Sequence, residues 1–294
     1  GMKNYWVAVG VMAGFCQGGG VGKCIAEWII DGEPSIDVWA MDVARFGDYA
    51  SPQYGTIKSS ENYERRFIMT FPNETLPKGR KQKTTALYDR FVNQGAVMGD
   101  SFGLENVLWF ANNKADAHEE PTIKRSRSHD YVSKEVINVR ENVGLIEVAN
   151  FSKHEFKGPD ARKFLDHIMA GRLPKPGRIS LSPMLSYRGK LCGDLTVACL
   201  EQNEFMVFGS GAAQEMHRRW FESHLDKFNL TYSNRSDEYH GLSIAGPNSR
   251  KVLEKIVRDD VSNEKFKFRD SRRMFVGGVP AIINRISFTG ELGY

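Results

Sequence analysis

The chain has 294 residues, room for more than one domain and for a sizeable core. Its 40 basic and 36 acidic residues leave a net charge of +4, too small and too dispersed to argue for a nucleic-acid surface, and even Lys124-Arg125-Ser126-Arg127 reads as a solvated loop. Cys16, Cys24, Cys192 and Cys199 form no CxxC pair and have no histidine at metal-ligand spacing, so they read as reduced thiols, and the apolar run 6–16 is too short to span a membrane.

Residues 5–11, Tyr-Trp-Val-Ala-Val-Gly-Val, have the content of a buried strand. Gly18-Gly19-Gly20-Val21-Gly22 follows, then a helix over 23–30 stopped at Asp31-Gly32-Glu33-Pro34. A strand, a glycine loop and a helix N-terminus make an anion site, because unpaired N–H groups and the positive end of the helix dipole face whatever fills the loop. The same run also suits a turn that merely lets helix and strand pack closely, and the spacing G-x-G-x-x-G is not matched.

Farther on, the pattern predicts a strand at 66–71 and a short helix at 86–93, capped by Thr85 and ended by Gly95. Pro72, Pro77 and Gly79 mark a polar loop between them. Residues 112–129 are polar and short of large apolar side chains, a long surface loop or a partly disordered one. Next comes a helix with Val132, Val136, Val139 and Val143 on one face, stopped at Gly144.

An internal repeat then appears. Gly158-Pro159-Asp160-Ala161-Arg162-Lys163-Phe164-Leu165 is matched by Gly246-Pro247-Asn248-Ser249-Arg250-Lys251-Val252-Leu253. Each copy follows a predicted strand, 147–156 and 241–245, and puts Pro at the expected first helical position. A further strand pattern follows each, at 179 onward and at 275–286, which argues for a duplicated α+β domain with helices on one face of antiparallel sheet.

The first of those patterns is read as a β-hairpin. Segments 179–185 and 191–200 flank Ser186-Tyr187-Arg188-Gly189, whose last residue suits a tight turn. Asp194 lies among Leu191, Cys192, Leu195, Val197 and Ala198, where ionisation costs free energy without a partner or ligand. It is either a site carboxylate or a strand residue pointing to solvent. No G-x-S-x-G or HExxH occurs and the seven histidines fall in no triad spacing, which disfavours hydrolase and metalloenzyme chemistry.

Three stretches carry a resemblance. Gly18-Gly19-Gly20-Val21-Gly22-Lys23, with Ala26-Glu27-Trp28-Ile29-Ile30-Asp31-Gly32-Glu33-Pro34 and Asp42-Val43-Ala44-Arg45-Phe46, resembles the end of the flavin domain of the dimethylglycine and sarcosine dehydrogenase family. Asn62-Tyr63-Glu64-Arg65-Arg66-Phe67 and Gly99-Asp100-Ser101-Phe102-Gly103-Leu104-Glu105 resemble that family's connecting domain. Arg188-Gly189-Lys190-Leu191-Cys192-Gly193-Asp194-Leu195-Thr196-Val197 is similar to a folate-site segment of glycine cleavage T protein, with Gly193 in place of the first of two Asp residues.

The resemblance implies a piece of a longer enzyme. It implies three parts: a flavin-domain tail at 1–47, a connecting domain at 48–104 and a T-protein-like folate domain at 105–294. The implied activity is oxidation of a small N-methyl amine, with tetrahydrofolate accepting the carbon and FAD held by the full-length parent. A regulatory paralogue like the pyruvate dehydrogenase phosphatase subunit and a folate-dependent methyltransferase are the alternatives. Asp194 would be the catalytic acid–base group, with Leu181, Met184, Thr196, Phe288 and Glu291 as folate contacts. Met184 nevertheless reads from the pattern as core filling, like Met206 and Met216. Gly18, Gly19, Gly20 and Val21 would face the flavin. Neither nucleic acid, membrane nor metal is expected, and the compartment would be the cytoplasm in a bacterium or the mitochondrial matrix in a eukaryote.

Overall fold

The computed structural model describes residues 4–294 as two compact units, one ending at Arg45 and the other running Phe46–Tyr294. The first is built on helix α1, Gly14–Asp31, which ends where the sequence predicts: Gly32 takes φ +82° and its N–H donates to the Trp28 carbonyl at 3.1 Å. Its start differs from expectation. Residues 5–11 pair with no strand among the described residues, and Trp6 instead sets its ring edge-on to Trp28 at 5.4 Å. β-Propensity without a partner strand makes no ladder.

Gly18, Gly19, Gly20 and Val21 accordingly lie inside α1, not in a loop before it. None of those glycines has positive φ, so the run propagates the helix. Each glycine there costs about 1 kcal/mol relative to alanine but breaks nothing.

The second unit begins with α2, Pro52–Glu64, which the sequence pattern did not predict. Its start signal is local: the Ser51 hydroxyl accepts the Tyr54 N–H at 3.1 Å, and Pro52 occupies the first turn, where its missing N–H is not needed. The expected strand at 66–71 is irregular chain, with Phe67 exposed beneath the Arg66 guanidinium. Helix α3, Tyr88–Asn93, is shorter than predicted, and Thr85 does not cap it. The hairpin β1, Ala96–Ser101, and β2, Leu104–Phe110, turns at Phe102 and Gly103, both with positive φ as a two-residue turn of this hand requires. Helix α4, Ser128–Glu141, follows the long loop; Val132 and Val136 are exposed and Val143 lies beyond its end, so the expected valine face is not a buried one.

From there the architecture is the mixed α+β arrangement of antiparallel sheets that the repeat implied. Strands β3, Gly144–Glu147, and β4, Ser152–Lys157, lead into α5, Ala161–Ile168; β5, Arg178–Leu185, β6, Leu191–Glu201, and β7, Glu204–Gly209, form a meander. Helix α6, Gln214–Glu222, completes this copy, and β8, Thr231–Asn234, joins its strands in a five-stranded sheet in the order β5-β6-β7-β4-β8. Phe156, Phe164, Leu165, Leu195, Val197, Phe205, Val207 and Phe221 are buried between that sheet and α5 and α6. Each buried side chain of this size contributes about 1.5 to 3 kcal/mol from area alone.

The second copy holds β9, Leu242–Ala245, α7, Ser249–Leu253, β10, Ser271–Val276, and β11, Val279–Asn284. Gly277 and Gly278, both at positive φ, make the β10–β11 turn inside what reads as one strand pattern at 275–286. The two copies share backbone conformation at their joints. Gly158 and Gly246 take φ +134° and +123°, and Asp160 and Asn248 occupy the N-caps with φ −101° and −97°. Proline therefore lies just before the helix and not in its first turn. The copies also trade strands: β4 of the first pairs with β8, which precedes the second, while β9 of the second pairs with β3, which precedes the first.

Candidate functional site

The β5–β6 hairpin forms as predicted, closed by Ser186–Lys190 backbone bonds with Gly189 at φ +75°. Its pleat sorts the side chains. Leu195, Val197 and Cys199 point into the helix-side core, so Asp194, Thr196 and Ala198 occupy the opposite face. Register then sets their neighbours: Pro183 lies directly opposite Asp194, and Leu181 opposite Thr196. On β7 and β4, Phe208 stands opposite Thr196 and Lys153 opposite Phe208, which extends the same face across four strands.

At one end this face is floored by Ile179, Ala198 and Met206 and covered by Tyr239 and Ile282. At the other, Asp194 and Leu181 are exposed while Thr196 and Phe208 are half-buried. The result is a carboxylate at the rim of an apolar floor. Lys153 is buried on this face, and burial pushes its ammonium down to about 8; Nζ donates to the carbonyls of Ala149 at 3.0 Å and Phe151 at 2.6 Å. Sequence reasoning missed Pro183, Phe208 and Lys153, because cross-strand register is not written in any one segment.

Met184 does not belong to this face. It sits opposite Gly193, fully buried in the helix-side core, which corrects its assignment as a folate contact and bears out the reading of it as core filling. Phe288 and Glu291 lie on the segment that returns to β9, where Gly293 pairs with Ala245; Phe288 is fully exposed and Glu291 accepts a hydrogen bond from the Thr289 hydroxyl.

Gly193 has a role of its own. A Cβ there would stand 2.8 Å from His217 Nε2, and one on Gly209 would stand 3.0 Å from His217 Nδ1. The imidazole is thus clamped between two glycines, 2% exposed, with Nε2 at 3.3 Å from the Cys192 carbonyl. Beside it, His154 is fully buried, with its ring centroid 6.3 Å from that of His217 and Nδ1 at 2.9 Å from the Tyr232 hydroxyl. His154 Nε2 and His217 Nδ1 have no hydrogen-bond partner. Gly193→Ala is expected to destabilise the fold by about 1 to 3 kcal/mol, since the added methyl overpacks against a fully enclosed ring. Urea unfolding at neutral pH measures this; an unchanged midpoint would show that the ring is free to shift.

The flavin expectation meets an obstacle in the first unit. With Gly18, Gly19, Gly20 and Val21 inside α1, backbone N–H groups that would cradle an anion are drawn into helical bonds, so these residues do not fit the expected flavin contact. The purified chain is expected to be colourless. Flavin absorbance near one equivalent would overturn that.

Among known proteins, the GCVT N-terminal domain family matches residues 87–294, and the FAD dependent oxidoreductase central domain family matches 31–85. Human mitochondrial dimethylglycine dehydrogenase is 35% identical over 100% of this chain and 34% of its own length. Human mitochondrial sarcosine dehydrogenase is 27% identical over 100% of this chain and 37% of its own length. The resemblance read from the motifs therefore runs along the whole chain, which spans about a third of these relatives. The crystal structure of glycine cleavage system aminomethyltransferase T from Bartonella henselae superposes with a TM-score of 0.58 at 22% identity, covering 72% of this chain and 52% of that one, and shows a shared fold.

Proposed function

The chain belongs to the GCVT N-terminal domain family, and from that membership we propose that it is the folate-handling part of a dimethylglycine or sarcosine dehydrogenase-like enzyme. The observation that carries this is the open end of the sheet face, where Asp194 stands at the rim of the floor made by Leu181, Thr196 and Phe208. A flat heteroaromatic ring with N–H donors along one edge suits such a surface: half-buried apolar groups take its face and a carboxylate accepts from its edge. Tetrahydrofolate, when bound, supplies the nitrogens that accept the one-carbon unit. Asp194 then holds the edge and takes the proton that the attacking nitrogen must lose. Leu181 and Thr196 position the ring, and Leu195 and Val197, buried behind them, keep β6 from yielding.

The amine substrate, the use of FAD by the parent enzyme and the mitochondrial matrix as the compartment in a eukaryote belong to the same proposal; the names of the relatives support the amine and the mitochondrion, and the FAD dependent oxidoreductase central domain match supports the flavin. No helix among the described residues is long and apolar enough to cross a membrane. Calorimetry with 5-formyltetrahydrofolate tests the site on this chain directly. Thr196→Arg, which projects a long charged side chain over the floor from a half-buried position, is expected to weaken binding at least tenfold. Equal affinity would remove the sheet face from consideration while leaving the fold assignment intact.

A further inference from the structure

Asp194 sits on a stretch of β6 that, among the described residues, is paired with a strand on one side only. On that side Pro183 of β5 stands opposite Asp194, and the Pro183 carbonyl accepts from the Ala170 N–H at 2.8 Å, on the far edge of β5. The two residues therefore form a non-hydrogen-bonded pair of the ladder, and the Asp194 N–H and C=O point the other way, toward β7. β7 stops short of them. Its pairing with β6 ends at Thr196 with Phe208, and Gly209, its last residue, comes level with Leu195.

The register of β6 also breaks here. Gly193 lies opposite Met184 and Leu191 opposite Leu185, so Cys192 is the extra residue of a β-bulge two positions before Asp194. A bulge bends its strand and re-aims the side chains beside it. What sets this bulge therefore sets the direction of Asp194.

His217 supplies a contact where β7 leaves off. It lies on α6, the helix that follows β7, and its Nε2 is 3.3 Å from the Cys192 carbonyl. A carbonyl oxygen only accepts, so Nε2 carries the proton and Nδ1 the lone pair. The ring bears on the next residue as well, since a Cβ on Gly193 would stand 2.8 Å from Nε2. Gly209 and Phe221, the latter with its centroid 6.4 Å away, back the ring from the helix side. Gly193 shares that side with the buried Leu195, so His217 reaches Asp194 only through the backbone of β6.

We infer, on the reading of Asp194 as the general base, that His217 is a positioning residue for carbon transfer: its bond to the Cys192 carbonyl and its packing on Gly193 fix the bulge of β6 and with it the direction of the Asp194 carboxylate. It replaces, with one side-chain donor, the strand that β7 does not extend.

The test compares His217→Gln and His217→Leu in the full-length protein at neutral pH, with rates taken per folded molecule. Gln can still donate an amide N–H to the carbonyl, whereas Leu fills space and donates nothing. His217→Leu is expected to lower kcat for carbon transfer to tetrahydrofolate by about 10- to 100-fold, the cost of a misplaced catalytic group. The KM for the folate and the consumption of the amine should be nearly unchanged, and His217→Gln should recover most of the rate. Adding His217→Leu to Asp194→Asn should cost nothing further, because both changes act on one step. An unchanged kcat in His217→Leu overturns the inference, as does a double variant whose loss is the product of the two single losses. Unimpaired transfer in Asp194→Asn overturns the reading of the base as well, whereas those two results leave that reading standing. Where His217→Leu does not fold, the imidazole nitrogen chemical shifts of the parent decide. Protonation at Nε2 is expected, and protonation at Nδ1 in its place would remove the bond to Cys192 and the inference with it.

Discussion

Asp194→Asn in the full-length protein is expected to lower one-carbon transfer to a reduced folate by roughly 100- to 10,000-fold, the usual cost of losing a general base. Asn keeps the shape and one acceptor oxygen but takes no proton, so affinity for 5-formyltetrahydrofolate should fall by no more than about tenfold. Consumption of the N-methyl amine should be nearly unchanged, since in the proposed reaction Asp194 serves only the folate half. Free formaldehyde should rise by the amount of product lost. The carboxylate is held on a strand whose alternate residues are fully buried, which makes a collapse of the site a poor explanation for such a loss. Unimpaired carbon transfer in the variant would make Asp194 a surface residue of β6 and no more.

Acidification is expected to weaken the folded state steeply, and the two buried histidines carry most of the effect. Burial lowers His154 to about 3, helped by His217 and Lys153 nearby, and lowers His217 to about 4, with a smaller opposing pull from the Cys192 carbonyl. Both lie below the unfolded value of about 6.5. The unfolded chain therefore binds protons first as pH falls, and the stability these groups contribute is whole above about pH 6.5 and declines from there through about 4 and then about 3. At pH 5 each histidine has lost on the order of 2 kcal/mol. Urea midpoints measured from pH 7.5 to 4.5 would follow this, and His154→Gln should flatten the slope. A profile flat to pH 5 would mean that the imidazoles reach solvent or find partners in the folded chain.

The sequence was most legible where one segment specifies its own structure. Residues 179–200 close on themselves through a glycine turn, and the repeat at 158 and 246 fixes both a glycine conformation and a helix start. Parity was available too and should have removed Met184: it lies three residues from Leu181, so a regular strand sends the two to opposite faces. What could not be read are the relations between segments. Pro183 and Asp194 share a face because of a cross-strand register, with a bulge between Met184 and Leu185 that no local pattern announces. Gly193 looks like a lost acid until His217, far along the chain, is found against it. Residues 5–11 have strand composition, but a strand is made by a neighbour.

The exchange of strands between the two copies sets a timetable for synthesis. β4 leaves the ribosome with its edge open, and the strand that closes it, β8, is translated only after residues 158–230 have followed. At about 5 to 20 residues per second that is a wait of roughly 4 to 15 s. β3 waits longer, for β9. A truncated chain ending near residue 225 would carry helix α6 over a sheet whose β4 edge is bare. Chaperone capture of such chains should therefore peak before β8 emerges and fall once it has docked.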